Sequence, residues 1–111
     1  MIKYIDNLYT TEKTEKKTDD YIFELYSDKL INPVYVIALS SCESDVFDIL
    51  SAKAVKNLDA KNVDIVILGI AENKSSCEKL CEQMILEYVE NVSTKDSISM
   101  RDYFENKLFD R

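Results

Sequence analysis

Two short apolar runs limit what this chain can fold into. They are Val34-Tyr35-Val36-Ile37-Ala38-Leu39 and Val63-Asp64-Ile65-Val66-Ile67-Leu68-Gly69-Ile70-Ala71, both rich in β-branched residues. Nearly continuous apolarity, as opposed to strict alternation, is the pattern of strands covered on both faces. About two dozen residues separate the runs, enough for a helical crossover between parallel strands. The expectation is one α/β domain over residues 1–111, with two central parallel strands at about 33–40 and 63–71. About four helices would cover that sheet.

The remaining segments supply those helices. From Thr11 to about Leu30, Ile22, Leu25, Tyr26 and Leu30 fall on one stripe. Asn32-Pro33 ends it, because proline forces the residue before it into extended backbone. A second helix from Ser44 to Asn57 would bury Val46, Phe47, Ile49, Leu50 and Ala54. The clearest periodicity follows. Cys77, Leu80, Cys81, Met84, Ile85, Tyr88, Val89 and Val92 recur at i, i+3, i+4, with Glu78, Lys79, Glu82, Gln83, Glu87 and Glu90 facing away. Ser75 and Glu78 have the spacing of a capping box. Asn91 to Ser97 reads as a loop, and Ser99 with Asp102 would start a last helix carrying Met100, Tyr103, Phe104, Leu108 and Phe109. At the other end, Asp6-Asn7 between Ile2–Ile5 and Leu8–Thr10 suggests an N-terminal hairpin.

Composition then excludes chemistry. The chain has no histidine and a single glycine, Gly69. Histidine is the usual general base and metal ligand near neutral pH, and successive glycines are what let backbone N–H groups converge on a phosphate. Gly69 lies inside a strand, where a missing side chain allows a neighbour to pack closely. No catalytic residues, cofactor or metal site are assigned.

Acidic residues outnumber basic ones by 21 to 14, a net charge of −7. Such a field repels nucleic acid. Lys13, Lys16 and Lys17 are interleaved with Glu12 and Glu15, as on a solvated helix face. Three cysteines, an odd number, argue against a disulfide framework and for a reducing compartment. No leader-like segment or membrane-length apolar run is present. The expected setting is the cytoplasm, with no membrane partner.

If the two strands are parallel, their carboxyl ends form a rim where ligands of open α/β sheets bind. Its residues would be Ser41, Cys42 and Glu43 after the first strand and Glu72, Asn73 and Lys74 after the second. Cys42 or Ser41 would be the nucleophile of a thiol or hydroxyl site. Helix caps explain the same residues without chemistry. Cys77 and Cys81, at i, i+4 on the apolar stripe, read as small core residues before they read as metal ligands. Asp64 reads as an exposed overhang before the second strand. Tyr21, Phe23 and Tyr26, and again Tyr103 with Phe104, widen the apolar faces of the first and last helices, through thorough burial or through an interface.

In order along the chain, Tyr4-Ile5-Asp6-Asn7-Leu8-Tyr9, the Val34–Leu39 strand, Gly69-Ile70-Ala71 and Arg101-Asp102-Tyr103 resemble a set of small uncharacterised bacterial α/β proteins. The resemblance spans most of the chain and implies the α/β fold. Those proteins carry no assigned activity, so it transfers no functional residue. The expected function is therefore non-enzymatic, through contact with a protein partner or by self-association as a homodimer. The alternative is a small-molecule or thiol site at the strand-end rim.

Overall fold

The computed structural model describes residues 2–11, 20–21, 34–39, 46–92 and 98–106. Its described strands are β1 (Ile2–Thr10), β2 (Tyr35–Leu39), β3 (Phe47–Ser51) and β4 (Ile65–Ala71). They form a mixed sheet in the order β1-β4-β2-β3, so both apolar runs lie in its centre. The described helices are α1 (Ala52–Ala60), α2 (Lys74–Asn91) and α3 (Met100–Asn106). The class is α/β.

The expected parallel centre is overturned: β2 and β4 are neighbours but antiparallel, with Tyr35 opposite Ala71. The cause lies in residues 47–51, which form a strand where a helix was expected. Phe47 and Ile49 pack on one face of the sheet and Leu50 on the other, the two-residue period of a strand. This added strand pairs antiparallel with β2, and α1 then crosses over to β4. One more strand between the two runs reverses their relative direction. The helix begins only at Ala52, capped by the Ser51 side chain, which accepts a hydrogen bond from the Ala54 N–H at 3.1 Å.

The expected N-terminal hairpin is also replaced. Residues 2–10 are a single strand, parallel to β4, whose register slips around Asp6-Asn7. From Tyr4 to Tyr9 the strand takes five steps while β4 takes two, Ile67 to Gly69. Opposite, the β2–β4 register also shifts, leaving Leu68 without a β2 counterpart. The face switch falls in β4, where Ile67 and Ile70 pack on the same side although three residues apart. Along β1 the positions on either side of the slip keep the two-residue alternation, with Ile2 and Tyr4 on that face and Ile5 and Tyr9 on the other.

Two apolar layers result. One face carries Ile2, Val36, Ala38, Ile65, Ile67 and Ile70 under α1, with Val55 fully buried. Tyr21 belongs to this layer, and Asp20 and Tyr21 have helical backbone within the expected 11–30 helix, whose other interior residues lie outside the described ones. The opposite face carries Ile5, Ile37, Leu68 and Ala71 under Cys77, Leu80 and Met84 of α2 and Phe104 of α3. Asp64 is exposed just ahead of β4, as the overhang reading expects. Beyond α1, Asn62 takes φ of 63°, a left-handed position asparagine tolerates, and the Val63 N–H closes the turn on the Leu58 carbonyl.

Candidate functional site

Because β2 runs against β4, their carboxyl ends lie at opposite edges of the sheet. The six-residue rim is not assembled by parallel neighbours as expected. Ser41, Cys42 and Glu43 lie outside the described residues. Glu72, Asn73 and Lys74 do follow the carboxyl end of β4, but the parallel strand beside them is β1. The partner residues at that edge are therefore Thr10 and Thr11.

A cleft of about 310 Å³ opens there, lined by Thr10, Thr11, Ser76, Lys79, Leu80 and Gln83. Glu72 organises it. Its carboxylate accepts hydrogen bonds from the Thr11 hydroxyl at 2.6 Å and the Ser76 hydroxyl at 2.9 Å, tying the ends of β1 and β4 to the first turn of α2. Asn73 is the cap of that helix. Its side-chain oxygen accepts from the Ser76 N–H at 2.8 Å, displacing the expected Ser75 capping box. With a carboxylate and a cap already on this helix end, it offers little to an incoming anion.

Deeper under α2 lies a second polar cluster. The Tyr9 hydroxyl donates to Glu87 Oε2 at 2.5 Å and the Tyr103 hydroxyl donates to the same oxygen at 2.9 Å. One carboxylate thus joins β1, α2 and α3. Burial, the hydrogen bond to Glu87 and its negative charge all push the Tyr9 phenol well above its ordinary range, and Tyr103 shifts the same way. Edge-to-face rings surround the cluster: Phe104 meets Tyr9, Phe47 and Tyr103 at centroid distances of 6.0, 5.2 and 5.0 Å. The breadth of the last helix is thus used internally at Tyr103 and Phe104. Phe23, Tyr26, Leu108 and Phe109 lie outside the described residues.

Glu87 was expected on the outer face of its helix. It lies seven residues after Leu80 and three after Met84, so the signal for an inward position is in the spacing, masked by its charge. The converse holds for Ile85 and Val89, which the periodicity places in the buried stripe. They are exposed, at 39% and 65%, and Leu86 at 59% stands beside them. Nothing in the sequence separates a buried apolar stripe from one that is too wide for its sheet.

Both described thiols are shifted toward the protonated form. Cys77 is fully buried, and desolvation with the neighbouring Cys81 pushes its thiol up to about 12. Cys81 is pushed up to about 11 by burial and Glu78. A thiol held protonated at neutral pH is a poor nucleophile and a poor metal ligand. Among the described residues, no three His, Cys, Asp or Glu side chains gather as a metal site would require. Among them too, no helix is long and apolar enough to cross a membrane.

No family model, curated protein or solved structure matches this chain. The functional reading therefore rests on its own geometry.

Proposed function

We propose that this is a non-enzymatic cytoplasmic protein that acts through protein contacts, with the outer face of α2 as its contact surface. The observation that carries this is the exposure of Ile85, Leu86 and Val89 on adjacent turns of one helix. Scattered apolar side chains on a surface need no explanation, but a contiguous group does. Residues at i, i+3 and i+4 adjoin on a helix, so the three form one patch. The titratable groups elsewhere support the same reading. Glu72 and Glu87 each accept two hydroxyl hydrogen bonds, and Cys77 and Cys81 are held as neutral thiols.

A photoreactive residue in place of Leu86, compared with one in place of exposed Lys53 on α1, tests the surface in cells. A discrete adduct from position 86 alone is expected, identified by mass spectrometry as a second copy or another protein. Adducts from both positions, or from neither, would overturn the proposal.

The cleft beside Glu72 favours a second reading, a small-molecule site lined by Thr10, Thr11, Ser76, Lys79, Leu80 and Gln83, with Glu72 hydrogen-bonded to Thr11 and Ser76. That reading requires a saturable ligand whose binding is lost when Ser76→Trp fills the cleft. Protein that takes up no small polar molecule at millimolar concentration would dispose of it.

A further inference from the structure

The chemistry around the α2 patch points to the kind of partner it takes. We infer that the occupant is a basic amphipathic helix, an apolar strip flanked by lysine or arginine, and not a second copy of this chain. This rests on the α2 face being the contact surface.

Positions 78, 82, 85 and 89 follow one another along a single line of the helix, at steps of three and four. The exposed surface therefore runs from Glu78 and Glu82 at one end to Ile85, Leu86 and Val89 at the other, with exposed Glu90 beside Val89. The helix's cations are Lys74 in the first turn and Lys79 two turns before Leu86, whereas Glu82 and Glu90 lie within one turn of the apolar group. The chain as a whole carries −7.

This arrangement penalises self-pairing. Two copies crossing antiparallel at Leu86 would set Glu82 of one against Glu90 of the other. Crossing parallel, Glu82 would meet Glu82. Like charges brought together at the rim of an interface cost affinity, whereas a cationic flank gains it and speeds the encounter. The patch is a convex helix surface and not a sheet edge. Its match is the ridge of another helix seated between Ile85, Leu86 and Val89, not an added strand.

The test uses the full chain and three synthetic peptides followed by fluorescence anisotropy. One has leucine and lysine at helical spacing, one replaces each lysine by glutamate, and one scrambles the leucine–lysine order so that no apolar strip forms. The leucine–lysine peptide is expected to bind at least about tenfold more tightly than either control, and less tightly as salt rises. Glu82→Gln combined with Glu90→Gln should weaken it and flatten its salt dependence. Leu86→Ser combined with Val89→Ser should abolish it. These side chains are exposed, so an unchanged urea midpoint verifies that the variants are folded.

If the acidic amphipathic peptide binds equally well and the Leu86/Val89 variant loses both, the contact face stands and the basic partner falls. If basic peptide binds the Leu86/Val89 variant undiminished, the attraction is diffuse charge and both readings fall. If no peptide binds and sedimentation shows a dimer dispersed by Leu86→Ser, the occupant is a second copy and the inference is overturned. A monomer that binds none of the peptides overturns it as well.

Discussion

Tyr9 and Gly69 face each other across the β1–β4 pair so closely that a Cβ on residue 69 would lie 2.7 Å from the Tyr9 carbonyl oxygen. The same atom would come within 3.3 Å of the Tyr9 Cβ and of Ile37 Cδ1. No described glycine has positive φ, so the chain's single glycine serves close approach and not an unusual backbone angle. It was expected to make room for a covering side chain; what it chiefly admits is backbone. On the face of β1 opposite Ile2 and Tyr4, the Tyr9 ring lies under α2 and reaches Glu87.

Gly69→Ala should therefore destabilise the fold by about 1–3 kcal/mol, the usual cost of forcing extra volume into packed structure. The obstacle is a strand carbonyl, which cannot rotate away as a side chain would. Urea unfolding is the measurement. A midpoint equal to the parent's would show that the β1–β4 spacing yields freely.

Glu87 should behave as a shared acceptor. Tyr9→Phe is expected to cost about 1.5–3 kcal/mol, the range for a hydrogen bond to a charged group, with Tyr103→Phe costing less because Tyr103 is the more exposed. Glu87→Ala should cost much less in a Tyr9→Phe, Tyr103→Phe background than in the parent, because its two partners are already gone. Additive losses in this cycle would mean that the three side chains do not act together.

Stability should decline on the alkaline side. Cys77 and Cys81 are raised to about 12 and 11, and both tyrosines are raised as well. A group whose folded pKa exceeds its unfolded value stabilises fully below the unfolded pKa and loses that contribution as pH climbs through the folded one. For thiols the decline begins at about pH 8.5, and for the tyrosines at about pH 10. Urea midpoints measured across this range should fall steadily, and Cys77→Ala should flatten the first part of the slope. A flat profile up to about pH 11 would contradict the burial of these groups.

The start of α2 can be located by substitution. Asn73→Ala should remove about 1 kcal/mol through loss of the cap, while Ser75→Ala should change little. Equal losses at the two positions would restore the capping-box assignment.

Much of the architecture is legible in the residues. The runs at 34–39 and 63–71 are the central strands, α2 follows its i, i+3, i+4 pattern, and Ser99 does open α3, its hydroxyl accepting from the Asp102 N–H at 3.1 Å. The segment 46–51 is where the sequence is ambiguous. Val46, Phe47, Ile49 and Leu50 fit one face of a helix as readily as two faces of a strand, and short apolar runs do not resolve the choice. Placing a strand there decides the direction of everything after it. The cleft was hidden for the same reason, since Thr10 and Thr11 are ordinary residues until β1 pairs with β4.

Residue order alone settled which stretches avoid water and with what period, because burial is written into side-chain chemistry. Strand direction, the inward turn of Glu87 and the outward turn of Ile85, Leu86 and Val89 were decided only when the sheet assembled. Hydrophobicity says that a side chain prefers cover. Whether cover exists depends on how wide the neighbouring surface is, and that is a property of the packed layers.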